Sequence, residues 1–467
     1  MIRTALVCGL ATLVAGMAAS AEDCPLTFRT IPAKDVMSFP GGYGLSGQLH
    51  LAKPAKLKRE PEAASRHPLY GECGETPTAA GFLFRLDESK GDGKGYDRII
   101  VDMNQNGDLT DDAPASLVSL PTDRKLPPQA MRPRLFGPIQ APAGKMIAGG
   151  RPIYFAQTYI NNISPMLTSG QVTEGAYIGQ LQFKAGWYVE ATVELKGLKQ
   201  KVGVFDGDSN LRLGDVSKPE TYRATGADES WYFGQADSLL VDADGSGAFE
   251  GDTFESESCP YGPVLYFGAT PYKVTLKPDC TSLRVEPWTE ALAEVALQPH
   301  GEQVSSVTLA WERPKKQWQL IRAGVTEGKI QVPPGNYRLY ACVLLGKGTP
   351  RDQVMTAANQ RVPKTRFTFA AGKENTLRCG APLEIKVTAQ KRRPESWEVN
   401  SGDLRNPLLA SDSEFVLSIN ANIRGADGEV YSEFAKGEKF SAEPPQPTFK
   451  IVDGSGKKVA DGKLEFG

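Results

Sequence analysis

Oxygen-bearing side chains alternate along three short stretches of the sequence, which begin at Asp102, Asp206 and Asp242. When a loop carries such side chains at positions 1, 3 and 5 and turns sharply at position 6, their oxygens converge on one point. Carboxylate and amide oxygens suit Ca²⁺, a hard cation that takes about six to eight oxygen ligands. The alternation therefore predicts three calcium loops.

The candidate ligands all carry a side-chain oxygen within one of these loops. They are Asp102, Asn104, Asn106, Asp108, Asp111 and Asp112 in the first loop, Asp206, Asp208, Asn210 and Asp215 in the second, and Asp242, Asp244, Ser246, Glu250 and Asp252 in the third. Position 6 is Gly107 in the first loop and Gly247 in the third, but it is Leu211 in the second. Asp, Asn and Gly are also favoured in ordinary turns through local side-chain-to-backbone hydrogen bonds, and this alternative stays open.

The first and third loops resemble the calcium loops of EF-hands and dockerins over about ten residues each. An EF-hand carries a bidentate Glu at position 12, where these loops have Ala113 and Thr253. The closing carboxylate is then expected from Asp111 or Asp112 in the first loop, and from Glu250 or Asp252 in the third. Because strands lead into the loops, we expect no helix–loop–helix and no opening of the kind seen in calcium sensors.

The segments between the loops have the pattern of strands and turns. Short apolar runs rich in β-branched and aromatic residues alternate with Gly, Pro, Asp and Asn clusters, for example at 99–101, 187–189, 201–205 and 272–276. The one candidate helix runs from Trp288 to Leu297, between two prolines. We therefore predict a mainly β fold of several β-sandwich-like domains, with Asp-rich loops at strand ends and few helices.

The chain is predicted to contain a signal peptide, residues 1–21, and four β regions, 22–145, 146–285, 286–385 and 386–467. The first region carries the first loop and ends in a Pro-rich tract, Pro127 to Pro142, whereas the second region carries the other two loops. Two short apolar runs, beginning at Phe449 and Val459, flank a glycine-rich turn and predict a terminal hairpin.

The third region contains the segment Val-Pro-Pro-Gly-Asn-Tyr-Arg-Leu at residues 332–339. A Pro-Gly turn that feeds a strand in this way resembles the carboxypeptidase-regulatory, transthyretin-like β-sandwich, with Tyr337 and Leu339 pointing inward at period 2. The wider arrangement resembles a group of uncharacterised exported bacterial proteins with D-x-N-x-N-G-D loops and a C-terminal β domain. The transthyretin-like resemblance implies an accessory domain and not an enzyme, whereas the wider resemblance implies an architecture and comes with no established activity.

The N-terminus predicts export. Arg3 supplies a positive charge, an apolar stretch runs from Ala5 to Met17, and Ala19-Ser20-Ala21 gives the small-x-small pattern of a cleavage site. An N-terminal membrane anchor is the alternative, although the stretch is short for a span and no later segment approaches about 18 consecutive apolar residues. We therefore expect a periplasmic or extracellular protein without a transmembrane segment in the mature chain.

Removal of Cys8 with the signal peptide leaves six cysteines, an even number that suggests disulfides in an exported chain. Pairing in chain order keeps each bridge within a limited stretch of sequence, although spacing alone does not choose among the possible pairings. The chain-order pairs are Cys24–Cys73, Cys259–Cys280 and Cys342–Cys379.

Composition and the absence of common catalytic motifs reduce the number of function classes that fit this chain. Lys+Arg 53 against Asp+Glu 55 gives a net charge of -2, which argues against a nucleic-acid binder. The chain has only 3 histidines and no H-E-x-x-H, G-x-S-x-G or P-loop, so we assign no catalytic residue and expect no enzyme. We expect a calcium-binding structural or adhesive protein of the envelope or exterior, whose partners are calcium and a cell-surface polymer or another envelope protein.

Two other functions stay open. Trp187-Tyr188 and Trp231-Tyr232-Phe233 would offer aromatic platforms in a carbohydrate- or polymer-binding module, unless they pack in a core. A pair of carboxylates would suit a glycoside hydrolase, although the best-placed acidic residues already resemble ion ligands.

Overall fold

A computed structural model of the protein describes residues 21–37, 39, 46–73, 82–91, 95–118, 134–140, 151–157, 179–195, 198–216, 219–222, 230–233, 236–243, 245–249, 257–300, 303–313, 317–345, 354–358, 366–392, 416–431, 433–435, 448–452 and 454–463. These residues form β-strands and no α-helix, which confirms the predicted mainly β fold. No helix of the described part has the length and apolarity needed to cross a bilayer. The predicted signal peptide lies outside the described residues up to residue 20.

The strands of the first half, in chain order, are β1 (Glu22–Pro25), β2 (Thr27–Thr30), β3 (Ser46–Leu49), β4 (Leu69–Cys73), β5 (Phe82–Asp87), β6 (Arg98–Val101), β7 (Ala115–Ser116), β8 (Arg134–Gln140), β9 (Pro152–Gln157), β10 (Gly179–Ala185), β11 (Trp187–Leu195), β12 (Leu198–Phe205), β13 (Pro219–Tyr222), β14 (Ser230–Phe233), β15 (Ser238–Val241), β16 (Ser258–Pro260), β17 (Val264–Phe267), β18 (Thr270–Leu276) and β19 (Ser282–Pro287).

The strands of the second half are β20 (Ala293–Pro299), β21 (Val304–Arg313), β22 (Gln317–Gly324), β23 (Lys329–Val332), β24 (Gly335–Leu345), β25 (Val354–Ala358), β26 (Phe367–Phe369), β27 (Thr376–Cys379), β28 (Glu384–Arg392), β29 (Val416–Arg424), β30 (Val430–Tyr431), β31 (Glu433–Ala435), β32 (Thr448–Val452) and β33 (Lys458–Lys463).

Four antiparallel sheets build the part of the fold that carries the Asp-rich loops. Their strand orders are β3-β10-β9-β8, β4-β5-β6-β7, β16-β15-β12-β11-β2 and β1-β19-β18-β17. Strand β2 pairs with β11, and β3 pairs with β10, so strands from the regions predicted as 22–145 and 146–285 share sheets. This pairing was not predicted, because more than a hundred residues separate the two strands of each pair.

Two large hydrophobic cores stabilise these sheets, and the first draws side chains from three of the sheets whereas the second draws them from two. The larger core joins the β11 and β12 face, with Trp187 and Val204, to the β19 face, with Leu283. In β11 alternate residues are buried, as expected for a strand with one face on a core. The second core is aromatic, and the rings of Phe155 and Phe183 meet edge to face at 5.0 Å. Full burial of each large apolar side chain contributes about 1.5–3 kcal/mol.

Another core holds the sheets formed by β20 to β27 and β31, and it also contains Val264 and Tyr266 of β17. One sheet has the order β23-β20-β27, and the other contains β22-β21-β24-β25-β31 with β26 paired to β24. Tyr337 and Leu339 of β24 are fully buried, which confirms their predicted inward orientation. The ring of Tyr337 lies between Trp311 at 6.1 Å and Phe369 at 5.2 Å, so this tyrosine is the centre of the core.

The predicted helix from Trp288 to Leu297 is wrong. The segment contributes to β20, which pairs antiparallel with β23 and parallel with β27. Ala293, Val295 and Leu297 are buried whereas Glu294 between them is exposed, so the apolar residues repeat at the strand period of two. Hydrogen bonding on both edges of β20 then favours the strand over a short isolated helix.

The predicted terminal hairpin is confirmed, since β32 pairs with β33 across the turn at 454–457. The predicted disulfides are wrong for this structure, in which all six cysteines are free thiols. Cys24 and Cys73 belong to different hydrophobic cores. Cys342 and Cys379 share one core and a thiol–thiol hydrogen bond, which together with burial raises the pKa of Cys379.

The backbone contact between β22 and the β17–β18 turn gives a test of the fold. A Cβ atom at Gly324 would overlap the carbonyl oxygen of Gly268, which is backbone and has little freedom to move. We expect Gly324→Ala to destabilise the protein by about 1–3 kcal/mol, measured as a lower urea midpoint. Gly262→Ala is the matched control because its nearest heavy atom lies at 3.5 Å. Equal midpoints for the two variants would contradict the described junction.

Candidate metal centre

The three Asp-rich loops begin where strands end. The first loop connects β6 to β7, the second follows β12, and the third connects β15 to β16. Strands β12 and β15 are antiparallel neighbours, with Phe205 opposite Ser238 and Val202 opposite Val241. The second and third loops therefore lie at opposite ends of the same strand pair.

The described parts of the loops share one backbone conformation. The residue at position 4 has a positive φ in each loop, with values of 59° at Gln105, 56° at Ser209 and 74° at Gly245. Position 6 repeats this conformation at Gly107, Leu211 and Gly247, with φ of 78°, 67° and 81°. Leucine is uncommon in this left-handed region, so the second loop holds its turn despite a local steric cost of about 1–2 kcal/mol.

A conserved hydrogen-bond geometry accompanies this conformation in all three loops. The position-6 amide donates to the carboxylate at position 1, from Gly107 to Asp102 at 2.8 Å, from Leu211 to Asp206 at 2.9 Å and from Gly247 to Asp242 at 2.9 Å. The position-7 amide donates to the side-chain oxygen at position 5 in each loop, namely Asn106, Asn210 and Ser246. Each loop thus fixes the side-chain oxygens of positions 1 and 5 on the inside of the turn.

The second loop brings three carboxylates together. Side-chain oxygens of Asp206, Asp208 and Asp237 all lie within 4.8 Å of one another. Asp206 directly follows β12, and Asp237 directly precedes β15, so the pairing of Phe205 with Ser238 places the two aspartates side by side. No other group of three acidic, histidine or cysteine side chains converges in this way within the described ranges.

Burial makes this cluster electrostatically costly. Asp206 is 0% exposed and Asp237 is 1% exposed. Burial raises the pKa of Asp237 to about 8, and it also raises the pKa of Asp206 and of Asp208, with mutual repulsion adding to the effect at Asp206. A cluster of buried carboxylates must be neutralised by protons or by a cation, because uncompensated charge in the interior is strongly unfavourable.

One oxygen in the cluster has no protein partner. Asp237 Oδ2 accepts hydrogen bonds from the amides of Gly214 at 2.5 Å and Asp215 at 2.8 Å, which hold the carboxylate in place. Its other oxygen, Oδ1, is buried and has no hydrogen-bond partner. A buried acceptor left in this state costs about 1–3 kcal/mol, so it marks a position where a ligand would add stability.

The remaining predicted ligands of the second loop flank the cluster. Asn210 donates through its amide nitrogen to Asp208 at 3.0 Å and to Asp215 at 2.7 Å. The hydroxyl of Ser209 accepts from the amide of Ala185 at 3.0 Å, which ties the loop to β10. The four predicted residues are therefore close together, and Asp237 is the acidic neighbour that their spacing did not reveal.

The first loop is neutralised mainly by its own hydrogen bonds. Both oxygens of Asp102 accept backbone amides, and Asp111 accepts the side-chain amides of Asn104 at 3.1 Å and Asn106 at 2.9 Å. Asp108 pairs with Arg59 at 3.0 Å. These local hydrogen bonds and this ion pair are the contacts expected if the first loop is an ordinary turn.

Asp112 is the exception in the first loop. One of its oxygens accepts the amide of Met103 at 3.3 Å, and the other is buried without a partner. Burial raises the pKa of Asp112 to about 6, and the charges of Asp102 and Asp111 act in the same direction. The first loop therefore has one carboxylate suited to a cation, but it lacks the convergence of the second loop.

The third loop is described only in part, since Asp244, Glu250 and Asp252 lie outside the described residues. Asp242 and Ser246 occupy positions 1 and 5 as predicted. Sequence reasoning missed Glu257, whose carboxylate accepts the amide of Ala243 at 2.8 Å. Asp237 and Glu257 were both missed because neither belongs to the alternating pattern of a loop. Asp237 could have been found from its position directly before a predicted strand.

No family model, curated protein or solved structure matches the chain.

The pKa of Asp237 predicts how stability depends on pH in the absence of divalent cations. The folded-state pKa of about 8 lies above the usual unfolded value of about 3.9, so the folded protein keeps a proton that the unfolded chain has lost. The free energy of unfolding in EDTA should consequently decrease as pH rises from about 5 to about 8. Urea denaturation at several pH values measures this slope.

Asp237→Asn is the matched variant for this measurement, since an amide at the same position carries no titratable proton. Its unfolding free energy should decrease less steeply over the same pH range. An identical slope in the variant would show that Asp237 is not the group responsible.

Proposed function

We propose that the protein is an exported calcium-binding protein of the cell envelope or exterior, in which the ion has a structural or adhesive role. The observation that carries this proposal is the convergence of Asp206, Asp208 and Asp237 around an oxygen that has no protein partner. The predicted signal peptide supports the exported location, and the shared loop conformation matches the turn that a calcium loop requires.

The donor set favours Ca²⁺ over other common cations. All side-chain donors at the second loop are carboxylate or amide oxygens, which suit hard cations and lack the nitrogen and sulfur ligands of zinc. Mg²⁺ demands near-ideal octahedral geometry and usually keeps several waters, whereas Ca²⁺ accepts an irregular shell of protein oxygens.

The location of the cluster supports a structural role. Asp206 and Asp237 flank neighbouring strands, and the amides of Gly214 and Asp215 bind Asp237 across the intervening chain. An ion here would join the end of β12, the start of β15 and the loop between them. Extracellular calcium modules typically bind with dissociation constants of about 10⁻⁴–10⁻³ M, which is compatible with such a role.

The described aromatic residues favour this role over carbohydrate binding. Trp187 is fully buried and lies under the guanidinium of Arg151 at 4.3 Å, and Tyr188 stacks on Phe39 at 5.1 Å. These side chains therefore pack in the protein and offer no open platform for a sugar ring. The side chains of residues 231–233 lie outside the described set.

The carboxylate-based hydrolase is disfavoured by burial. A glycosidase needs two carboxyl groups that reach the scissile bond of a bound sugar. Asp206 and Asp237, the carboxylate pair of the candidate site, are buried, so a sugar substrate cannot reach them.

Thermal unfolding of the mature protein tests the proposal. If the dissociation constant is near 10⁻⁴ M, about 10 mM Ca²⁺ should stabilise the folded state by about 2.7 kcal/mol relative to EDTA. Mg²⁺ at the same concentration should give a smaller shift. Asp206→Asn and Asp237→Asn should each lose most of the calcium-dependent shift, because each removes a charged ligand from the cluster.

Asp23→Asn is the matched control, since Asp23 is an exposed carboxylate whose described partners are Lys277 and Arg284 on the surface. It should keep the full calcium shift. Equal loss in Asp23→Asn and Asp237→Asn, or no shift in the wild-type protein, would contradict the proposed calcium site.

A further inference from the structure

The second loop contacts both of the large hydrophobic cores beside it. Leu211, at position 6, packs against the aromatic core that contains Phe183. Leu213, two residues later, packs against the larger core that contains Trp187. The first carboxylate of the loop, Asp206, directly follows β12, which is a strand of the larger core. The loop that carries the carboxylate cluster therefore also joins the two cores.

Strand β10 connects the same two cores and is bound by the loop. Leu181 and Phe183 are buried in the aromatic core, and Ala185 at the end of the strand is buried in the larger core. The backbone amide of Ala185 donates to the hydroxyl of Ser209 at 3.0 Å, and Ser209 is only 1% exposed. Position 4 of the loop is thus fixed to the strand that links the cores.

This packing gives a physical reason for the leucine at position 6. The φ of 67° at Leu211 lies in the left-handed region, where a glycine would have no steric cost. Gly107 and Gly247, the corresponding residues of the other loops, have no side chain to bury. The side chain of Leu211 is instead partly buried against the aromatic core, and this burial offsets the backbone cost. The departure from the usual calcium-loop pattern therefore supplies a contact with that core.

We propose that the second loop is a joint through which ion binding at Asp206, Asp208 and Asp237 stabilises the aromatic core, with Ser209 and Leu211 as the residues that transmit the effect. This inference rests on the proposed calcium function and adds a conformational role to the same site. Ser209 and Leu211 directly follow loop positions 3 and 5, which carry candidate ligand oxygens. An ion that holds those positions in place also holds the two contacts.

Cys73 of β4 reports the state of the aromatic core. Its side chain is 0% exposed, and its thiol donates to the carbonyl of Leu181 in β10 at 3.7 Å. Burial raises the pKa of this thiol, so alkylation requires a local opening that exposes it to solvent. The labelling rate of Cys73 therefore measures how often the contact between β4 and β10 opens.

Cys379 provides an internal control in the same chain. It is also 0% exposed, but it belongs to the core that contains Tyr337. A general stabilisation of the protein would slow the labelling of both thiols equally. The proposed joint instead slows the labelling of Cys73 more than the labelling of Cys379.

The experiment follows iodoacetamide labelling of Cys73 and Cys379 in the full mature chain by peptide mass spectrometry, in EDTA and in about 10 mM Ca²⁺. Thermal unfolding is measured in parallel, because it reports ion binding itself. In the wild type, we expect calcium to slow the labelling of Cys73 at least about threefold more than the labelling of Cys379.

Two variants of the joint separate ion binding from its transmission. Leu211→Gly supplies the residue that the other loops have at position 6, and Ser209→Ala removes the acceptor of the Ala185 amide. Neither change removes a carboxylate, so both variants should keep a calcium-dependent thermal shift. Each should reduce the additional protection of Cys73, and the double variant should abolish it, because the loop then holds neither β10 nor the aromatic core.

Ser305→Ala is the matched control for the loss of a hydroxyl. The Ser305 hydroxyl donates to the carbonyl of Val343 at 3.5 Å, within the sheet that contains β21 and β24. This variant leaves both contacts of the second loop in place. It should therefore show the same protection of Cys73 as the wild type.

The outcomes separate this inference from the calcium function itself. If calcium raises the thermal stability of the wild type but slows the labelling of Cys73 no more than that of Cys379, the joint is wrong and the calcium function stands; this comparison needs no variant to fold. Undiminished protection of Cys73 in the double variant would overturn the roles of Ser209 and Leu211. If calcium changes neither readout, the proposed function fails, and this inference falls with it.

Discussion

The antiparallel pairing of β12 with β15 is the constraint on which the candidate site depends. It places Phe205 opposite Ser238, and so brings the next residue of one strand, Asp206, beside the residue that precedes the other, Asp237. Both carboxylates are then buried. Packing of the adjoining core fixes the strands, so the repulsion is relieved by neutralisation and not by movement.

The three loops show how one backbone conformation accommodates different arrangements of carboxylates. All three turn through left-handed residues at positions 4 and 6 and direct the position-6 amide to the first carboxylate. They differ in the carboxylate that arrives from outside the alternating pattern: Asp237 at the second loop and Glu257 at the third, compared with the adjacent Asp112 at the first. At the second loop, the carboxylate from outside the pattern is Asp237, and its buried Oδ1 has no hydrogen-bond partner.

Sequence reasoning predicted the features that depend on local periodicity. The strands, the terminal hairpin, the inward orientation of Tyr337 and Leu339 and the position of the Asp-rich turns all follow from residue types within a short window. Sequence reasoning failed where the secondary structure of a segment depends on pairing with strands that are distant in the sequence. The apolar residues near Val295 suit either a helix or a strand, and only the flanking strands β23 and β27 select the strand.

At the candidate metal site, too, local features were predicted and long-range ones were missed. The alternating residues of the second loop were predicted, although Leu211 at position 6 departs from the usual pattern and made this loop the poorest match. The structure nevertheless brings three carboxylates together at this loop, because strand pairing places Asp237 beside Asp206, and Leu211 itself adopts the left-handed conformation. The predicted disulfides failed for a related reason, since the spacing of Cys24 and Cys73 gives no indication that they lie in different cores.

If Asp206, Asp208 and Asp237 jointly bind one Ca²⁺ ion, a crystal structure of the mature protein grown with about 10 mM Ca²⁺ should reveal it in anomalous difference density recorded at long wavelength. We expect a calcium peak about 2.3–2.6 Å from an oxygen of each of the three aspartates, including Asp237 Oδ1. An ordered second loop with no such peak, and with a protein hydrogen-bond donor on Asp237 Oδ1, would contradict it.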